Sequence, residues 1–340
     1  MGKRSTVYHE LVTSEKWEKV SQENKDLMGE FVDYLRSANK SPATIKQYES
    51  QLRTFFVFVL DQCNNTFFVE LKKRDFVKYF GYLSNELEVS TNRICSMRAV
   101  LSSLSNFIER IMDEEYPNFK NFVKVLEPVK KEAVREKTVL SLDEINNCLE
   151  KLVNDKKYQV ACAFALLASS GARKSELIQF KVSDFDESRL IFKGSAYQSA
   201  DMRTKGAGKA GKIIPRIVFK EIVNFDKYLN LWLEQRRALG IKNEELFVVY
   251  RDGNYVPATI PTANSFARTI GTYLGKDFYC HSMRHAFTTS LLRSGFSVST
   301  VQNIVQWKSA DLVAIYDDRS KEEEIGGFMD QFLQSGGEFK

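Results

Sequence analysis

An imidazole beside a guanidinium can accept a proton and hold an anionic oxygen, and the stretch H-S-M-R-H sets His281 and Arg284 three residues apart. That spacing puts both on one face of a helix, with Phe287, Leu291 and Leu292 as the apolar stripe beneath. Gly295 predicts the stop, and Val298, Val301, Ile304 and Val305 predict a second short helix leading to Trp307 and then Tyr316. A further guanidinium, Arg173, follows a Ser-Ser-Gly turn in A-S-S-G-A-R-K-S-E-L-I-Q-F. It opens a predicted helix carrying Leu177, Ile178 and Phe180. Alone, H-x-x-R-H is more often a hydrogen-bonded core cluster, because short motifs match by chance. The upstream arginine changes that reading.

Together, G-A-R-K-S-E-L, then H-S-M-R-H, then Trp307 standing ahead of Tyr316 resemble the tyrosine recombinase (phage-integrase) family. Its catalytic order is Arg, Lys, His-x-x-Arg, His or Trp, Tyr, and the chain fills each slot in turn. The resemblance implies a site-specific recombinase that cleaves and rejoins DNA through a 3′-phosphotyrosyl intermediate. Tyr316 would be the nucleophile, and Arg173 and Arg284 the donors to the non-bridging phosphate oxygens. His281 would take the phenol proton. The family's general acid is a lysine on a hairpin between two strands; here Lys205 in T-K-G fits best and Lys209 stays open, because K-G-A-G-K-A-G-K is longer than the usual turn. Trp307 stands where most relatives carry His, and Gln306 where Gly is usual. Indole can orient a phosphate but cannot titrate. Glu176 is expected to buttress the site and His285 to tie its helix to neighbours. No metal or other cofactor is implied, since the phosphotyrosine keeps the energy of the broken bond.

The physical demand agrees with those residue types. A hydroxyl attacking a phosphodiester builds a dianionic transition state, which needs fixed positive donors. Two planar guanidiniums that stay charged meet the need.

The 340 residues, 43% hydrophobic and 12% aromatic, suffice for two domains. A net charge of +5 is only mildly basic, so an argument for nucleic acid must rest on local clusters. Cys63, Cys95, Cys148, Cys162 and Cys280 are scattered without C-x-x-C, which fits a reducing cytoplasm and neither a disulfide framework nor a zinc site. No apolar run is long enough to predict a membrane span or a signal core.

The expected fold is mainly α in two domains: an N-terminal all-helical core-binding (SAM-like) domain and a C-terminal mixed α+β catalytic domain with a small antiparallel sheet. Residues 1–24 are expected to be a flexible arm and 25–127 the helical domain. Its helices include one started by Ser41-Pro42, one over about 73–87 and one from Ser90 or Thr91 to Ile111. Residues 128–140, charged and Pro-containing, read as linker, and Ser141 with Glu144 reads as a capping box opening the catalytic domain, 141–322. Within it V-S-D-F-D, R-L-I-F-K-G and K-I-I-P-R-I-V-F read as three strands. Residues 323–340 read as a terminal helix with one apolar face, which either covers its own core or, as the resemblance implies, docks into the next protomer.

Lys40, Lys46, Arg53, Arg93 and Arg98 lie at helix starts or outer faces of the first domain. Arg203 and Lys212 flank the Gly- and Lys-rich turn of the second. All seven are candidate DNA-binding residues. The expected partners are double-stranded DNA, gripped by both domains, and three further copies in a homotetramer on two sites. A type IB topoisomerase or a non-catalytic regulator of the same fold are the rival readings. The first lacks its larger insertions here, and the second would be expected to have lost Arg173, Arg284 or Tyr316.

Overall fold

The computed structural model describes residues 11–127, 140–204 and 211–307, together with 309, 313 and 326. Lys205, Lys209, Tyr316, the segment 128–139 and most of the terminal segment lie outside the described residues. The chain divides into two compact units at residue 136.

The first unit is helical throughout: α1 (Ser14–Lys19), α2 (Gln22–Ser37), α3 (Pro42–Gln62), α4 (Lys73–Gly81) and α5 (Thr91–Ile111). Ser41 caps α3, its hydroxyl accepting from the Thr44 N–H at 3.2 Å, and Pro42 starts the helix where no N–H is needed. Periodic Leu52, Phe55, Phe56 and Val59 then fall inside, against Phe68, Phe76 and Tyr79, in edge-to-face and stacked ring contacts.

Two expectations need correction. Residues 14–24 are not a frayed arm: α1 packs on α3, Val20 is buried, and the Arg53 guanidinium lies 4.7 Å from the Trp17 ring centre. The buried Asn24 pins the next turn, donating to the Thr66 carbonyl at 3.1 Å and accepting from the Phe68 N–H at 3.0 Å. The helix expected over 73–87 is α only to Gly81, and Tyr82–Glu86 continue as one π turn.

The second unit is built around α7 (Tyr158–Ser170), whose residues from Ala161 to Ser170 are all buried. Around it stand α6 (Leu142–Asn154), α9 (Phe225–Ala238), α10 (Ile260–Leu274) and α11 (Cys280–Arg293). A helix apolar on every side must be a central one. Ser141 and Glu144 form the expected capping box on α6. Helix α8 (Lys174–Leu177) is a single turn, shorter than expected, so Phe180 lies beyond it; α12 (Val298–Val305) follows α11 after Gly295, whose φ is +85°.

The strands are shorter and differently placed than expected. Val182–Phe185 form a 3₁₀ turn because Asp184 is buried and its carboxylate accepts from the Lys181 and Ala200 N–H groups at 2.8 and 2.6 Å. K-I-I-P-R-I-V-F is two strands. Pro215 has no N–H to give a ladder, so β4 (Lys212–Ile214) ends before it and pairs with β3 (Met202–Thr204). After it β5 (Ile217–Phe219) pairs with β2 (Ala196–Gln198), which in turn pairs with β1 (Leu190–Ile191). All these pairs are antiparallel, as are β6 (Val248–Arg251) and β7 (Asn254–Pro257). Arg216 therefore stands at the corner between two sheets. Among the described residues no helix is long and apolar enough to cross a membrane.

Candidate active site

The site forms where the end of α7, the single turn α8, the start of α11 and the end of α12 meet. Gly171 closes α7 with φ +57°, and a Cβ there would come within 2.5 Å of the Phe287 ring on α11. Only glycine satisfies both the left-handed turn and the close approach. The reversal lets the Gly171 carbonyl accept from Arg284 Nη1 at 2.7 Å, 113 positions later in the chain.

Arg284 is 1% exposed. Its other terminal nitrogen donates to the Val305 carbonyl at 2.7 Å, and the guanidinium carbon sits 5.2 Å from the centre of the buried Trp307 ring. The guanidinium is thus held in one orientation from two sides, and Trp307 serves as its platform. That role was not foreseen for this indole. Val305 can offer its carbonyl because α12 stops there. Gln306 adopts φ +58°, the left-handed conformation for which glycine is usual, and its amide donates to the Pro215 carbonyl at 3.3 Å.

Arg173 is more open, with 26% of its side chain accessible. Nη1 donates to Glu176 Oε1 at 2.8 Å and to the Thr204 hydroxyl at 3.0 Å. Glu176 is fully buried and accepts from the Arg173 N–H at 2.8 Å, from Arg216 Nη2 at 2.6 Å and from the Thr204 hydroxyl. The carboxylate is the hub of this half of the site. Arg216 and Thr204 were not foreseen. In sequence Arg216 is one of several basic residues around a Gly-rich turn, and nothing local marks it for the interior.

His281 is exposed and meets the half-buried His285 edge to face, with ring centres 5.8 Å apart. Desolvation of its inner edge, then the charges of His285, Arg284 and Arg173, lower its pKa to about 4. It is neutral at physiological pH, the state a proton acceptor requires. The structure thereby brings Arg173, His281, Arg284 and Trp307 together with Glu176 and His285.

Burial alone would raise the Glu176 pKa, but Arg216, the Arg173 N–H and the Thr204 hydroxyl outweigh it and bring it to about 2. The folded value lies below the usual one, so the ionised carboxylate stabilises the fold above about pH 4.5, on the order of 3 kcal/mol, and that contribution is lost as pH falls toward 2. For His281 the unfolded chain takes up its proton first, so stability declines as pH falls from about 6.5 to 4. Urea melts across both windows are expected to show two steps of loss. Glu176→Gln should flatten the lower step only, and a lower step unchanged in that variant would refute the assignment.

Of the candidate DNA contacts, Lys40, Lys46, Arg53, Arg203 and Lys212 have exposed side chains and Arg93 is half-buried. Arg98 is otherwise engaged, its guanidinium donating to the Val123 carbonyl at 3.0 Å and to those of Leu126 and Glu127. It ties the end of the first unit to α5 and is spent as a structural clamp.

This geometry agrees with what comparison with known proteins finds. Residues 138–323 match the model of the phage integrase family, and residues 27–118 match the phage integrase N-terminal SAM-like domain. The chain belongs to the phage integrase family. It is 31% identical over 286 residues to the SPbeta prophage-derived recombinase-like protein YomM of Bacillus subtilis (strain 168), covering 83% of this chain and 82% of that one. Tyrosine recombinase XerA of Pyrococcus horikoshii is 24% identical, over 86% of this chain and 89% of its own. Among solved structures, the Tn1549 transposon integrase in complex with circular intermediate DNA superimposes with a TM-score of 0.64 at 18% identity, over 89% of this chain and 98% of that one. A lambda integrase dimer bound to a core site gives 0.63 at 16%, over 88% and 96%. At those identities the likeness is one of fold, and it spans both units of this integrase-family chain.

Proposed function

We propose that this tyrosine-type recombinase cleaves and rejoins specific sites in double-stranded DNA through a 3′-phosphotyrosyl intermediate. The observation that carries the reading is the closeness of Arg173 and Arg284 to the one imidazole of His281, in a chain whose first tyrosine after Trp307 is Tyr316. The Tyr316 oxygen attacks phosphorus and passes its proton to His281. The bond to the deoxyribose 5′-oxygen breaks, and Lys205, or Lys209 in its place, supplies the proton that oxygen takes up. Arg173 and Arg284 hold the non-bridging oxygens as charge builds. Two lone-standing arginines would be mobile; here a buried carboxylate and two carbonyls set them in advance.

Exposed Lys40, Lys46 and Arg53 on the first unit, and Arg203 and Lys212 on the second, support phosphate contacts from both domains, so affinity should fall steeply with salt. Assembly as a homotetramer on two sites rests on the apolar spacing of Ile325, Phe328, Met329, Phe332 and Leu333, a face that fits a neighbouring protomer.

The target sequence can be found by letting the protein choose it. Sheared and randomly nicked DNA from the source genome, in which a leaving strand beside a nick diffuses away and religation is blocked, is incubated with the protein without divalent metal, the mixture is denatured, and DNA still attached to protein is sequenced. One sequence class joined to protein by its 3′ phosphate is the expected result. Recovery of no attached DNA, or only with a divalent ion present, would reject the mechanism. On DNA carrying two copies of that site, a chain ending at residue 322 should bind each site yet fail to pair them.

A further inference from the structure

The arginine left over by this mechanism is as deeply buried as Arg284. Arg216 is 1% exposed, far inside the second unit, and its two terminal nitrogens point to different halves of the site. Nη2 donates to Glu176 Oε1 at 2.6 Å, and Nη1 donates to the Val305 carbonyl at 3.1 Å. Glu176 Oε1 is also the acceptor for Arg173, and the Val305 carbonyl is also the acceptor for Arg284. One side chain therefore bridges the acceptors that hold both phosphate-binding arginines. The backbone around it is anchored as well. The Arg216 N–H donates to the Ser199 hydroxyl at 2.8 Å, its carbonyl accepts from the Ser199 N–H at 2.9 Å, and the preceding Pro215 carbonyl receives the Gln306 amide.

Stability does not account for this placement. Burying a charged pair is close to neutral against a hydrophobic replacement of similar size, and here Nε has no hydrogen-bond partner among the described residues, a further cost. What the arrangement does supply is a fixed distance. Arg173 approaches from α8 and Arg284 from α11, two elements whose spacing would otherwise depend on loop packing. A planar fork with donors on two nitrogens can span two acceptors; a lysine, whose donors radiate from one nitrogen, cannot reproduce that span.

We propose that Arg216 is a positioning residue for DNA cleavage, bridging Glu176 and the Val305 carbonyl so that the guanidiniums of Arg173 and Arg284 stand at one set separation before DNA arrives. It touches no substrate atom. The inference rests on the recombinase reading above, and misplacement of phosphate donors by a fraction of an ångström is the kind of change that slows chemistry more than binding.

The test uses the full chain and a nicked version of the trapped site, in which the leaving strand diffuses away and religation is blocked. Arg216→Lys keeps charge and most of the volume, and Arg216→Ala opens a space that guanidinium ion can enter. Adduct formation is followed at saturating protein, with affinity and melting temperature measured alongside. Arg216→Lys is expected to form adduct about tenfold or more slowly while its Kd stays within about threefold of wild type. Adding guanidinium chloride at millimolar concentration should speed Arg216→Ala, while tetramethylammonium at equal ionic strength should not. If the Lys variant cleaves within about threefold of wild type, or its binding weakens in step with its rate, the inference is overturned. Guanidinium giving no more than the tetramethylammonium rate counts against it equally. A wild-type chain that forms no adduct would instead overturn the recombinase reading, so the two failures are distinguishable.

Discussion

Tyr316→Phe should bind the DNA site as tightly as wild type and form no covalent adduct with it. The substitution deletes one oxygen and keeps the ring, so whatever packing the side chain provides is retained while the nucleophile is gone. Another hydroxyl could replace it only by reaching the same position, because attack must be in line with the departing 5′-oxygen. With a nicked site resolved on a denaturing gel, the wild-type band shifted by the mass of the protein should be missing altogether for the variant. A residual shifted band, at any salt concentration at which the site is bound, would mean that another residue carries the DNA. The assignment of Tyr316 would then be wrong.

Removing Arg284 should do nearly as much damage, for two separable reasons. Arg284→Ala deletes a donor to the transition state, which costs about a hundredfold or more in cleavage. It also leaves the Gly171 and Val305 carbonyls without this donor and takes away the cation resting on Trp307. The protein should lose about 2–4 kcal/mol of stability in denaturant melts as well. Arg173 supplies the contrast. Its side chain is a quarter exposed, so Arg173→Ala should cost comparable cleavage with a smaller loss of stability. Equal destabilisation by the two variants would show that burial does not separate their roles. Cleavage within about tenfold of wild type for either would remove that arginine from the transition state.

The parts that could be read from sequence are those written in local rules. Ser41 and Pro42 mark a helix start, and so do Ser141 and Glu144. The unbroken apolar run after Tyr158 marks the central helix, and H-x-x-R puts His281 and Arg284 on one turn. What could not be read depends on partners far along the chain. Arg216 finds Glu176 and Val305 at separations of 40 and 89 residues, and a basic residue in an Ile- and Val-rich stretch otherwise looks like surface charge on a strand. Asp184 misled for a related reason. Its neighbours have strand-like composition, but its own carboxylate turns the backbone by capping it. Arg98 looked like a phosphate contact because nothing near it in sequence announces the three carbonyls it binds.

The stacking of Arg284 on Trp307 also gives the molecule a built-in optical reporter. The chain has three tryptophans; Trp17 lies on α1 of the first unit beside Arg53, and Trp232 on α9 donates its indole N–H to the Leu246 carbonyl. A cation resting on an indole face perturbs its excited state. Replacing Trp17 and Trp232 with Phe would leave one emitter whose intensity and wavelength follow the guanidinium above it. A phosphate that draws on the charge of Arg284 would register as a change in that emission, so assembly of the pocket on DNA could be timed by stopped-flow in unlabelled protein, ahead of and apart from the appearance of adduct.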